Sequence, residues 1–187
     1  MRLINWTVIS LFVCVGSHSL AETCLTTTNE QAVITAVTPD AVIAAIADAQ
    51  AFKPRIQRFR DRLIITIDVQ KMKEDLPAPV SGPIENFVEA VRRQAVQEHF
   101  AYFVCDTVRP MFEKFKELGV IEVHGFLEVE DPQRGDKYDQ KQMWAAYRRI
   151  TANKIKWFPP DRRHILDVVT QADNYSFRPS VEFGRFR

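Results

Sequence analysis

Glu122, His124 and Glu128 leave one side of a stretch that alternates apolar and polar residues, and Asp68 and Thr66 leave one side of another. If the two stretches are neighbouring strands, three carboxylates and an imidazole converge on one face. Such a set suits hard or borderline metals. It also suits general acid/base work, since crowded carboxylates raise one another's pKa and a histidine can hold the proton. The competing reading is an ordinary solvated sheet face with Arg58, Arg60 and Arg62 as counter-charges, because alternation alone generates such faces. The sequence favours that reading, and no resident metal or cofactor is expected.

A second group lies at the C-terminal end. Trp157, Phe158, Tyr175, Phe177, Phe183 and Phe186 occur with Arg162, Arg163, Arg178, Arg185 and Arg187. Arginine and aromatic residues are enriched where surfaces bind partners, and the pair also suits an anionic polymer or headgroup. Against this, Ser180 to Arg187 alternates like a strand that completes the sheet and packs its aromatics inward. His99 and Asp106 share a helix face two turns apart, too far to touch, and His164 beside Arg162 and Arg163 reads as a surface residue. No G-x-S-x-G, H-E-x-x-H or C-x-x-C is present, and nothing among the six glycines resembles a phosphate-cradling loop.

The elements that must position these groups follow from periodicity. Thr38 and Pro39 open a short helix running to Gln50. Leu63, Ile65, Ile67 and Val69 mark a strand; Ile56 to Arg60 is a second strand or the same one bent, since Arg60-Asp61 lacks the glycine of a tight hairpin. A helix is expected from Pro83 to Leu118, ending at Gly119, with Ile84, Phe87, Val88, Val91, Ala95 and Tyr102 on its inner face and Glu89, Arg93 and Gln97 opposite. From Phe100 to Cys105 it is apolar nearly all round. At Pro110 the stripe turns to Val108, Met111, Phe112, Phe115 and Leu118, so a kink or break is expected there. Val120 to Glu130 is the next strand and Asp131 to Asp136 a turn. Tyr138 to Ile155 reads as a helix with Met143, Trp144, Tyr147 and Ile150 on one side, and Asp161 to Gln171 as another. The fold class is α+β: a small mixed sheet covered on one face by a long Pro-kinked helix, with two further C-terminal helices.

Residues 1–21 read as a cleaved signal peptide: Arg2 precedes an apolar run from Leu3 to Val15, too short to span a bilayer, and Ser19-Leu20-Ala21 offers a cleavage site. Residues 22–187 then form one mature domain, with 22–38 an extended arm and 39–187 the α+β body. Cleavage removes Cys14 and leaves Cys24 and Cys105, which in an oxidising compartment are expected to pair. Closing a loop of roughly 80 residues stabilises a fold by about 4 kcal/mol in the chain-entropy model. The mature charge is balanced, which points away from nucleic acid, although residues 137–187 are basic and residues 22–136 acidic. The reading is a periplasmic or secreted, non-enzymatic accessory or binding protein that contacts a protein partner or a cell-envelope component and is not an integral membrane protein. The alternative is an exported hydrolase or metal-dependent enzyme using Glu122, His124, Glu128 and Asp68.

Overall fold

A computed structural model describes residues 35–46, 49–70, 72, 85–131, 133–157 and 164–177. Its centre is a mixed five-stranded sheet in the order β1 (Arg55–Phe59), β2 (Arg62–Asp68), β3 (Val120–Glu130), β4 (Lys137–Arg148) and β5 (Asn174–Phe177). β2 and β3 are parallel and every other pair is antiparallel. The parallel pair is joined through the long helix α2 (Glu85–Lys114), because strands running the same way need a crossover. The α+β class, the mixed sheet and the covering helix therefore agree with the sequence reading. The proposed signal peptide, residues 22–34 of the arm and the Ser180 to Arg187 strand lie outside the described residues.

Alternation places Leu63, Ile65, Ile67, Ile121, Val123 and Leu127 on the inner face, all essentially buried. α1 (Pro39–Ala44) is shorter than the segment expected to reach Gln50. Its start is as read: Thr38 Oγ1 accepts from the Ala41 amide at 3.2 Å, Pro39 follows the cap, and Val42 and Ile43 are buried.

α2 runs unbroken through Pro110, so the break expected there does not occur. Pro110 costs the helix one backbone donor, but Val108, Met111 and Phe112 around it are buried and hold both turns against the core. The stretch expected to be apolar nearly all round, Phe100 to Cys105, is buried except for half-buried Tyr102, and the burial extends to Val108. The first half is rotated from expectation: Phe87 and Val91 are 71% and 50% exposed, whereas Arg92 and Val96 are buried. Periodicity fixes which residues share a face, and tertiary packing decides which face turns inward.

Two further corrections concern strands. β1 and β2 form a hairpin across Arg60-Asp61 without glycine. Arg60 adopts φ 55°, and the Asp61 carbonyl accepts from the Gly119 and Val120 amides at 2.8 and 3.1 Å, so a distant loop secures the turn. Residues expected as a helix from Tyr138 to Ile155 instead form β4, followed by the one-turn helix α3 (Arg149–Ala152). The register slips between Gly125 and Phe126: Gly125 faces Met143 and Phe126 faces Lys141, leaving Gln142 as an extra residue. The period of 2 is intact from Met143 to Tyr147; Trp144 on the outer face and Ile150 beyond the strand add apolar residues at helical spacing, and these imitate a helix. The other C-terminal helix is α4 (Leu166–Thr170), within the segment expected to be helical; Val168 accepts a hydrogen bond from the Tyr147 hydroxyl at 3.0 Å.

Gly125 lies where α2 approaches the sheet. A Cβ there would come within 2.8 Å of Val69 Cγ1 and 3.6 Å of the Phe100 ring. Gly125→Val is expected to lower unfolding free energy by about 1–3 kcal/mol through overpacking, measured as a shifted urea midpoint.

Candidate functional site

The sheet face away from α2 carries the residues singled out for chemistry. His124 and Thr66 are register partners, and Asp68 pairs one step along with Phe126. Glu122 and His124, two apart on β3, are hydrogen-bonded through Oε2 and Nε2 at 3.0 Å, with side chains only 16% and 14% exposed. The other carboxylates do not join them. Asp68 accepts from the Gln70 amide at 2.8 Å and faces Lys53 Nζ at 3.3 Å; Glu128 pairs with Lys137 Nζ at 2.8 Å. Glu122 itself has Arg62 Nε at 3.5 Å. Residues two apart on a strand are separated by roughly 6.6 Å, so a shared face need not be a shared site when loop lysines reach each carboxylate. Among the described residues, no group of three His, Cys, Asp or Glu side chains could hold a metal ion.

What surrounds His124 is aromatic and cationic. Its ring meets Trp144 edge-on at 6.2 Å and lies 6.3 Å from Phe126, and Lys141 Nζ sits 5.7 Å from the Trp144 ring and 5.9 Å from that of Phe126. Burial first, then the Lys141 charge, pushes the His124 pKa below its ordinary 6.5, outweighing the upward pull of Glu122. With the ring neutral, Nε2–H donates to Glu122 and Nδ1 keeps its lone pair.

A group with a depressed folded-state pKa takes its proton first in the unfolded chain, so its contribution to stability is present above pH 6.5 and is lost as pH falls through the folded value. Urea midpoints measured between pH 8 and 5 should therefore fall with pH more steeply for the wild type than for His124→Gln. One proton accounts for at most about 1.4 kcal/mol per pH unit. Parallel curves would remove His124 as the titrating group.

Beside this face, along β4, lies an open cleft of about 480 Å³ with Trp144 and Tyr138 among its aromatic lining. Sequence reasoning missed it because it assigned β4 to a helix; the available signal was the alternation of Met143, Ala145 and Tyr147. Of the C-terminal group, Trp157, Tyr175 and Phe177 are described; Tyr175 is 42% exposed on β5, Phe177 packs against the core, and so does Trp157. It packs against Tyr147, with ring centroids 5.7 Å apart, and its indole N–H donates to the Ala152 carbonyl at 3.0 Å, so it serves the core. Phe158, Arg162, Arg163, Arg178, Phe183 and Arg185 lie outside the described residues. Cys105 is 1% exposed, and its Sγ is 2.9 Å from the Trp157 carbonyl oxygen. Cys24 lies outside the described residues. His99 is half-buried, Asp106 is buried, and His164 Nδ1 is 3.4 Å from Asp167 Oδ2 on the surface.

Comparison with protein-family models, curated proteins and solved structures finds no match for this chain. Among the described residues, no helix is long and apolar enough to cross a membrane.

Proposed function

We propose that this chain is an exported, non-enzymatic binding protein that contacts a protein partner or a cell-envelope component through the outer face of its sheet. The observation that carries the reading is the gathering of Trp144, Phe126, His124 and Lys141 beside a cleft, while Asp68 and Glu128 are neutralised elsewhere. Aromatic rings with an adjacent cation form the kind of surface that binding energy concentrates on. In this reading the leader is removed after Ala21, and a Cys24–Cys105 disulfide ties the arm to α2.

The test is made in exporting cells with a photo-crosslinking residue at Lys141 and a control at exposed Lys154. A discrete adduct from position 141, absent at 154 and lost on Trp144→Ala, is expected. In the same preparation, mass spectrometry should find Glu22 at the N-terminus and a linked Cys24–Cys105 peptide pair. Cytosolic retention with Met1 intact, or no adduct specific to position 141, would defeat the proposal.

A second reading is favoured by one observation: the neutral His124, oriented by Glu122, has the form of a general base with Nδ1 available. It makes the chain a hydrolase. A substrate screen should then yield an activity abolished by His124→Ala and reduced by Glu122→Gln, and an activity indifferent to both variants would exclude this pair.

A further inference from the structure

We infer that the cleft at the β4 bulge is a subsite for a neutral polyhydroxylated ligand, a glycan unit, whose hydroxyl donor satisfies Gln142. This rests on the reading of the chain as a binding protein and names the chemistry its cleft takes. Gln142 is the extra residue of the bulge and lines the cleft, yet it is only 3% exposed. Its Nε2 donates to Gln140 Oε1 at 2.8 Å, while its Oε1 has no hydrogen-bond partner among the described residues. An acceptor buried without a donor costs about 1–3 kcal/mol, and bulges recur where a side chain is re-aimed for a purpose. Gln142 lines the cleft, so a ligand there that turns the amide outward can supply the donor.

The rest of the lining narrows the class. Among the described residues that line it, the charged side chains are Asp139 and Lys141, and they cancel, so their charges select neither an anion nor a cation. The Asp139 carboxylate, the Gln140 amide and the Ser176 hydroxyl offer acceptors and donors together, which is what a ligand bearing several hydroxyls requires. Tyr138, half exposed, and Trp144 supply flat apolar surface for the C–H face of a sugar ring. The volume falls within the usual range for small-ligand sites, about 300–1,000 Å³.

The experiment titrates the purified mature chain, carrying Trp157→Phe so that tryptophan emission reports Trp144, with neutral tetrasaccharides of glucose, mannose, galactose and N-acetylglucosamine. Saturable binding of at least one, millimolar or tighter and unchanged between 50 and 500 mM salt, is expected. Gln142→Leu should weaken it about tenfold, since the hydroxyl donor loses its acceptor. Tyr138→Ala, at a site exposed enough to leave the fold intact, should weaken it several-fold, and thermal melts confirm that both variants are folded. The inference is overturned if no tetrasaccharide saturates, if binding persists unchanged in both variants, or if the cleft instead takes an extended peptide along the β4 edge. Should the Lys141 adduct form while every sugar fails, the glycan inference alone is lost; should both fail, the binding reading goes with it.

Discussion

Arg149→Ala is expected to lower unfolding free energy by about 3 kcal/mol and the melting temperature by roughly 6–12 °C for a chain of this size. The Arg149 guanidinium donates to the carbonyls of Phe112 at 2.7 Å, Phe115 at 2.6 Å and Leu118 at 2.9 Å, and it stacks 5.0 Å over the Phe112 ring. The carbonyls of Phe112 and Phe115 belong to the last turn of α2 and its continuation, where helices leave acceptors unsatisfied and where the dipole favours a cation. The Arg149 amide donates to Gly119 at 2.9 Å, so the same residue joins the end of α2, the start of β3 and the end of β4.

The decisive comparison is Arg149→Lys. Lysine keeps the charge but replaces a planar fork with a point donor, and it cannot reach three carbonyls at once. It should recover less than half of the loss in urea or thermal unfolding. Equal stability of Arg149→Lys and the wild type would show that charge at the helix end, rather than the fork, is what matters.

Arg149 also shows why part of the fold was legible in the sequence and part was not. Leu63, Ile65, Ile67 and Val69, with Ile121, Val123 and Leu127, announced two strands because each has one buried and one wetter face. β4 has the same alternation from Met143 to Tyr147, but Trp144 on its other face and Ile150 beyond its end are apolar too, and Met143, Trp144, Tyr147 and Ile150 together fit a helical period. Nothing in that stretch marks Arg149, at its end, as a cap for another element. The Arg60-Asp61 hairpin was hidden for a related reason, since the Gly119 and Val120 amides that hold it come from nearly 60 residues away. The candidate site was half legible. Alternation put Glu122 and His124 on one face and their hydrogen bond follows from that, while Lys53 and Lys137 lie in or beside loops whose approach to Asp68 and Glu128 no local pattern records.

Phe100→Ala should be the most damaging single change in the core, at about 3–5 kcal/mol. Phe100 is fully buried at the middle of α2 and meets Phe177 of β5 edge-on at 6.2 Å. It also sits over Gly125, the one position where β3 presents no side chain to the helix, so the ring fills a space the sheet leaves open. Truncation would empty that space beneath a helix whose buried run continues from Phe100 to the end held by Arg149, so collapse is restricted and most of the cavity cost is retained. Phe100→Leu, which keeps much of the volume, should cost less than half as much. Because Phe177 pairs with Met143 beside the bulge, the loss should also reach the cleft. Hydrogen exchange in Phe100→Ala is expected to rise in β5 and in residues 140–146 of β4 before it rises in β2. Protection lost uniformly across the sheet would instead mean that Phe100 supports the whole core and has no particular coupling to the β4 edge.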